Sequence, residues 1–125
     1  MIIDTNAISA FADGNEDLFR VIEDQAELAV PVVVLGEYLF GIRQSKQRAR
    51  YEQWLRDNLP LFELLGLGRR TAEHYAQIRL ELKEAGRPIP GNDLWIAALS
   101  REHLLPVVSR DRHFDGVRGL RLFSW

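Results

Sequence analysis

Four carboxylates in this chain stand where an ordinary surface acid would not. Asp4 directly follows the short apolar run Met1-Ile2-Ile3. Glu37 lies inside Val32 to Ile42, a stretch apolar on almost every side. Asp93 opens the apolar segment Leu94 to Leu99, and Asp111 comes just after Leu105 to Val108. Each has an ordinary explanation by itself. Asp4 and Asp93 can cap helices, Glu37 can pair with a buried arginine, and Asp111 can be a loop acid beside Arg110 or Arg112. A buried carboxylate without a partner costs several kcal/mol or takes up a proton.

Brought together, the four would repel. At an effective dielectric near 20, a like-charged pair at ~4 Å costs about 4 kcal/mol. A cation must offset this, and the chain offers no cysteine to hold a soft one. His74, His103 and His113 are scattered and read as surface or packing residues. An all-oxygen donor set suits Mg²⁺ or Mn²⁺. Asn6 and Ser109 stand beside these acids, where an amide and a hydroxyl can orient carboxylates or metal-bound water.

The elements that must position these residues follow from the apolar pattern. Met1 to Ile3, Leu28 to Val30, Leu61 to Leu65, Leu105 to Val108 and Leu120 to Phe123 read as five short strands. Helices are expected between them. Thr5 can cap the first, and Asn15 caps a second that carries Glu16 and Asp17 in its first turn. Val32 to Ile42 predicts a helix buried on every face. Lys46 to Asn58 predicts an amphipathic helix. Arg69 to Ala85 predicts a long one with Ala72, Tyr75, Ala76 and Leu82 inward, stopped by Gly86 and Pro88. Pro90-Gly91-Asn92 reads as a turn into a second all-apolar helix, Asp93 to Leu99. Bare apolar strands alternating with helices predict an α/β sandwich: a central parallel sheet of about five short strands, with helices on both faces. In such a sheet Asp4 and Asp111 share the edge formed by the strand C-termini. Asp93 reaches it only if the long turn from Gly86 to Asn92 returns there.

Composition narrows the function class. The chain has 125 residues, 46% of them hydrophobic and 27% charged, which predicts one globular domain over 1–125. It has no disulfide framework, and no apolar run approaches membrane-spanning length, so a cytoplasmic protein is expected. The net charge of -2 does not announce a nucleic-acid binder. The strip Arg43, Lys46, Arg48 and Arg50 reads first as a solvated helix face.

Four segments carry a family resemblance: Ile2-Ile3-Asp4-Thr5-Asn6, Glu37-Tyr38-Leu39-Phe40-Gly41-Ile42, Gly91-Asn92-Asp93-Leu94-Trp95-Ile96-Ala97-Ala98 and Val107-Val108-Ser109-Arg110-Asp111-Arg112-His113-Phe114, with Val117 to Leu122 as the closing strand. In that order they resemble the acidic motifs of the PIN-domain family, over essentially the whole chain. The compact length is similar to the VapC-type toxins of prokaryotic toxin–antitoxin pairs. The resemblance implies a Mg²⁺- or Mn²⁺-dependent endoribonuclease acting on structured RNA. It also implies a homodimer and a small VapB-like antitoxin that neutralises it. It assigns Asp4, Glu37, Asp93 and Asp111 as catalytic and metal-holding residues. Asn6 and Ser109 are their support, and Arg110, Arg112 and Arg43 are candidate RNA contacts. Tyr38 and Trp95 are placed to stack on bases, although core packing is the first expectation for both.

Two other hydrolase or binding classes compete, besides a PIN nuclease working outside a toxin–antitoxin pair. A haloacid-dehalogenase-type phosphatase also opens on a strand and an aspartate, but it needs an acid where this chain has Asn6. A non-catalytic PIN scaffold predicts lost acids, and none is lost.

Overall fold

A computed structural model describes residues 1–125. Five strands, β1 (Ile2–Ile3), β2 (Ala29–Pro31), β3 (Glu63–Leu65), β4 (Val107–Val108) and β5 (Leu122–Phe123), form one parallel sheet in the order β3-β2-β1-β4-β5. Six helices connect them: α1 (Thr5–Ala12), α2 (Glu16–Ile22), α3 (Val32–Arg43), α4 (Arg48–Asn58), α5 (Arg69–Glu84) and α6 (Gly91–His103). The α/β class and the five short parallel strands agree with the sequence reading. The chain steps outward from β1 through β2 to β3, then crosses back to place β4 on the other side of β1. The order therefore reverses between β1 and β4, the point at which open α/β sheets form a ligand crevice.

The central strands are fully apolar because both their faces are covered. Ile2, Ile3, Val30, Val107 and Val108 have no exposed surface. α6 is as buried as its composition predicts, with Leu94, Ile96, Ala97, Ala98 and Leu99 inside. Phe11 gathers an aromatic cluster with Phe19, Trp54 and Phe62 at centroid distances of 5.2, 5.7 and 5.6 Å. Such edge-on and tilted pairs add to what burial alone contributes. Gly86 takes φ +68 at the end of α5, where Arg87 N–H bonds back to the Leu82 carbonyl at 2.9 Å. This is the C-terminal stop its sequence predicts.

Three expectations are corrected. α3 is not buried all round: Val32 is 42% and Phe40 65% exposed, and Gly36 between them is exposed too. These positions recur every fourth residue and so form one strip on the helix surface. In α5, Ala72 and Ala76 face outward, and Thr71, Ile78 and Leu82 form the inner face. Asp4, not Thr5, is the N-cap of α1, with its carboxylate accepting from Thr5 N–H at 2.7 Å. No helix is long and apolar enough to cross a membrane.

Candidate metal centre

The register of the sheet builds the site. Ile3 pairs with Val108, so the next residues, Asp4 and Ser109, emerge side by side at the β1/β4 switch point. Both are buried, Asp4 at 4% exposure and Ser109 at 0%. The Ser109 hydroxyl donates to Asp4 Oδ2 at 2.6 Å and accepts from Asp111 N–H at 2.9 Å. Asn6 Nδ2 donates to Ser109 Oγ at 3.0 Å, while its Oδ1 accepts from Arg110 N–H at 3.2 Å. One hydroxyl and one amide thus lock the first and last acids to each other.

Glu37 comes from the middle of α3. No arginine meets it. Its two oxygens accept hydrogen bonds from the Thr5 hydroxyl on α1 and the Asn92 amide on α6. Asp93 lies in the first turn of α6, which begins at Gly91, and the irregular segment from Arg87 to Pro90 leads into it. Asp111 caps a short turn of 3-10 helix, Arg112–Gly116, by accepting from His113 N–H at 2.9 Å. The buried Phe114 anchors that turn, at 1% exposure.

All four acids line one open cleft of about 650 Å³, together with Thr5, Asn6, Asn92 and His113, and none of its lining residues is hydrophobic. That is unlike a small-molecule pocket, which is mostly apolar with a few polar groups. The acids perturb one another. Burial holds the Asp4 carboxyl above its usual range; Ser109 and Thr5 oppose this, and the charges of Asp93 and Glu37 reinforce it. Burial also raises Asp93; the hydrogen bond from His113 opposes the rise, and Asp111 and Glu37 add to it. The His113 imidazole is raised, chiefly by its hydrogen bond to Asp93. Hard oxygen donors crowded at this density suit a divalent cation, and the donor set present fits Mg²⁺ or Mn²⁺.

The PIN-domain family model matches residues 1–120. The chain belongs to the PIN-domain family. It is 30% identical over 120 residues to ribonuclease VapC5 of Mycobacterium tuberculosis, covering 94% of this chain and 87% of that protein. It is also 30% identical over 103 residues to the tRNA(fMet)-specific endonuclease VapC of Shigella flexneri, covering 82% and 78%. A crystal structure of VapBC-5, a member of the VapBC family of toxin–antitoxin systems from M. tuberculosis, superposes with a TM-score of 0.75. The two share 28% identity, with 98% of this chain and 94% of that one covered.

Within this PIN domain the structure gathers Asp4, Glu37, Asp93, Asp111, Asn6 and Ser109, all singled out from sequence. Arg43, Arg110 and Arg112 do not line the cleft. Arg110 stacks over Trp125 at 4.6 Å and Arg112 pairs with Asp115 at 2.5 Å, while Arg43 is exposed at the end of α3. Tyr38 packs edge-on against Trp54 at 6.2 Å, and Trp95 stacks on Tyr75 at 4.1 Å. Both are packing residues. The strip after α3 is solvated as expected, with Arg48 paired to Glu52 at 2.7 Å.

Sequence reasoning missed three cleft residues whose side chains contact the acids: Thr5, Asn92 and His113. His113 is at the surface, as expected, but it also lies against two of the acids, with Nδ1 2.8 Å from Asp93 Oδ2 and 2.9 Å from Asp111 Oδ1. Its position two residues after Asp111 was the available signal.

Ser109 yields a direct test of how the cleft is held. Ser109→Ala removes the donor to Asp4 and the acceptor of Asp111 N–H at a fully buried position. A loss of about 1–3 kcal/mol is expected, a fall of roughly 4–11 °C in Tm for a chain of this size. Differential scanning calorimetry of the two proteins measures it.

Proposed function

We propose that this PIN domain is a divalent-metal-dependent endoribonuclease that hydrolyses RNA phosphodiester bonds as the toxin of a VapBC-type toxin–antitoxin pair. One observation carries the reading: four acids distant in sequence converge on one polar cleft at the switch point of the sheet. The names and assemblies of its relatives support the nuclease and toxin parts.

In this reading Asp4, Asp93 and Asp111 hold Mg²⁺ or Mn²⁺, with Glu37 acting directly or through a water. The ion, when bound, supplies positive charge that acidifies a water molecule and offsets the phosphate's negative charge. The protein supplies position. Ser109 and Thr5 N–H fix the Asp4 carboxylate, and Thr5 Oγ1 and Asn92 fix Glu37 from opposite sides. The polar, open cleft leaves room for a nucleic-acid backbone to enter. Arg43, Arg110 and Arg112 remain candidate backbone contacts outside it.

A VapB-like antitoxin is the partner, and the protein acts in the cytoplasm. A second copy of the chain completes a homodimer. Val32 and Phe40, 42% and 65% exposed on one strip of α3, are the apolar surface there that a second copy would cover.

Purified protein stripped with EDTA is expected to leave RNA intact, and added Mn²⁺ or Mg²⁺ to restore cleavage by at least about a thousandfold, the equivalent of ~4 kcal/mol of barrier. Gel analysis of end-labelled RNA reads the result. Equal cleavage in excess EDTA would refute the metal-dependent mechanism.

A further inference from the structure

We infer that His113 is itself a metal ligand, and that Asp93, Asp111 and His113 together form a mixed nitrogen–oxygen cation site favouring Mn²⁺ over Mg²⁺. The inference rests on the metal-dependent reading of the cleft and adds a ligand and a selectivity to it.

The three side chains each offer one ligand atom, and the three atoms lie within 4.8 Å of one another. His113 Nδ1 stands 2.8 Å from an Asp93 oxygen and 2.9 Å from an Asp111 oxygen. Neighbouring ligand atoms around an octahedral ion with bonds of ~2.1 Å are about 3.0 Å apart. The imidazole nitrogen is therefore already spaced from both carboxylates as two adjacent ligands are. Asp4 and Glu37 fall outside this triangle. Their partners are hydroxyl, amide and backbone N–H groups, so their half of the cleft offers oxygen alone as a donor to an ion.

The triangle is held before any ion arrives. Asp93 is fixed in the first turn of α6. Asp111 is tied by its own N–H to Ser109 and by its carboxylate to His113 N–H. The buried Phe114 next in sequence pins the turn that carries the imidazole. Preorganised ligands lose little freedom on binding. An imidazole nitrogen strengthens binding of transition ions, in rising order from Mn²⁺ towards Cu²⁺, and does little for Mg²⁺, which prefers oxygen. The competing role for His113 is a hydrogen-bonding partner that only steadies the two acids.

The full chain, stripped and loaded with Mn²⁺ alone, separates the two. Electron spin-echo envelope modulation of the bound ion is expected to show directly coordinated nitrogen in the wild type and none in His113→Gln. Titration calorimetry is expected to show Mn²⁺ affinity falling about tenfold or more in that variant, with Mg²⁺ affinity changed by less than about twofold. His113 is exposed, so its replacement leaves the core intact. Nitrogen-free Mn²⁺ binding in the wild type, abolished by Asp93→Asn, would overturn the inference and leave the metal-dependent reading standing. Equal Mn²⁺ affinity in wild type and His113→Gln would do the same. Failure of the wild type to bind either ion would overturn both.

Discussion

Asp93→Asn is expected to lower RNA cleavage by at least about a thousandfold while the protein stays folded. Asparagine keeps the shape of the side chain and its place in the first turn of α6, and its carbonyl can still accept from His113. It removes one of the charges that the cleft concentrates. If those charges hold the ion, losing one costs several kcal/mol of transition-state stabilisation, and ~4 kcal/mol corresponds to about three decades in rate. Asp4→Asn carries the same expectation, because asparagine serves as well as aspartate at an N-cap. Single-turnover cleavage of labelled RNA, with a thermal melt of each variant, measures both halves. Cleavage at the wild-type rate by a folded Asp93→Asn protein would remove Asp93 from the site.

Phe114→Ala carries the largest expected effect on stability. Phe114 is the bulkiest of the fully buried side chains. Truncating a buried phenylalanine costs about 3–5 kcal/mol, a fall of roughly 11–19 °C in Tm for a chain of this size. The same change should weaken Mn²⁺ binding, because the turn that Phe114 pins carries both Asp111 and His113. Calorimetric unfolding and Mn²⁺ titration of the one variant test the two effects together. A variant that lost stability but bound Mn²⁺ as tightly as wild type would show that the turn is held by other means.

The parts of the site that could be read from sequence are those attached to strong local signals. Asp4 and Asp111 follow bare apolar strands, and the end of a buried strand in a parallel sheet is a defined place. Ser109 and Asn6 each sit two residues from one of those acids, so their hydrogen bonds follow once the β1/β4 register is set. Glu37 is conspicuous because its helix is apolar, but burial explains only part of that apolarity. The helix is apolar on two counts: one side packs on the core, and the strip through Val32 and Phe40 is exposed. Composition does not distinguish a side buried within the chain from one available to a partner.

Of the residues not singled out from sequence, His113 depends on irregular backbone. His113 reaches Asp93 and Asp111 through a short 3-10 turn between β4 and β5, and no periodic pattern announces such a turn. Asn92 reads as a turn residue from sequence, but α6 begins at Gly91, two positions before Asp93. Thr5 and Asp4 are both cap candidates in the sequence; Asp4 makes the cap, which leaves the Thr5 hydroxyl free to bond Glu37. Capping α1 and facing the cleft are compatible for Asp4: one oxygen accepts from Thr5 N–H and the other from Ser109.

The central claim is that the cleft holds a divalent ion among Asp4, Glu37, Asp93 and Asp111. A crystal soaked in Mn²⁺ and measured at a wavelength where manganese scatters anomalously tests it most directly. The account predicts an anomalous peak within bonding distance of Asp93 and Asp111, inside the cleft that Asp4 and Glu37 also line. A saturated crystal with no peak there, or with its manganese bound only elsewhere on the surface, would contradict it.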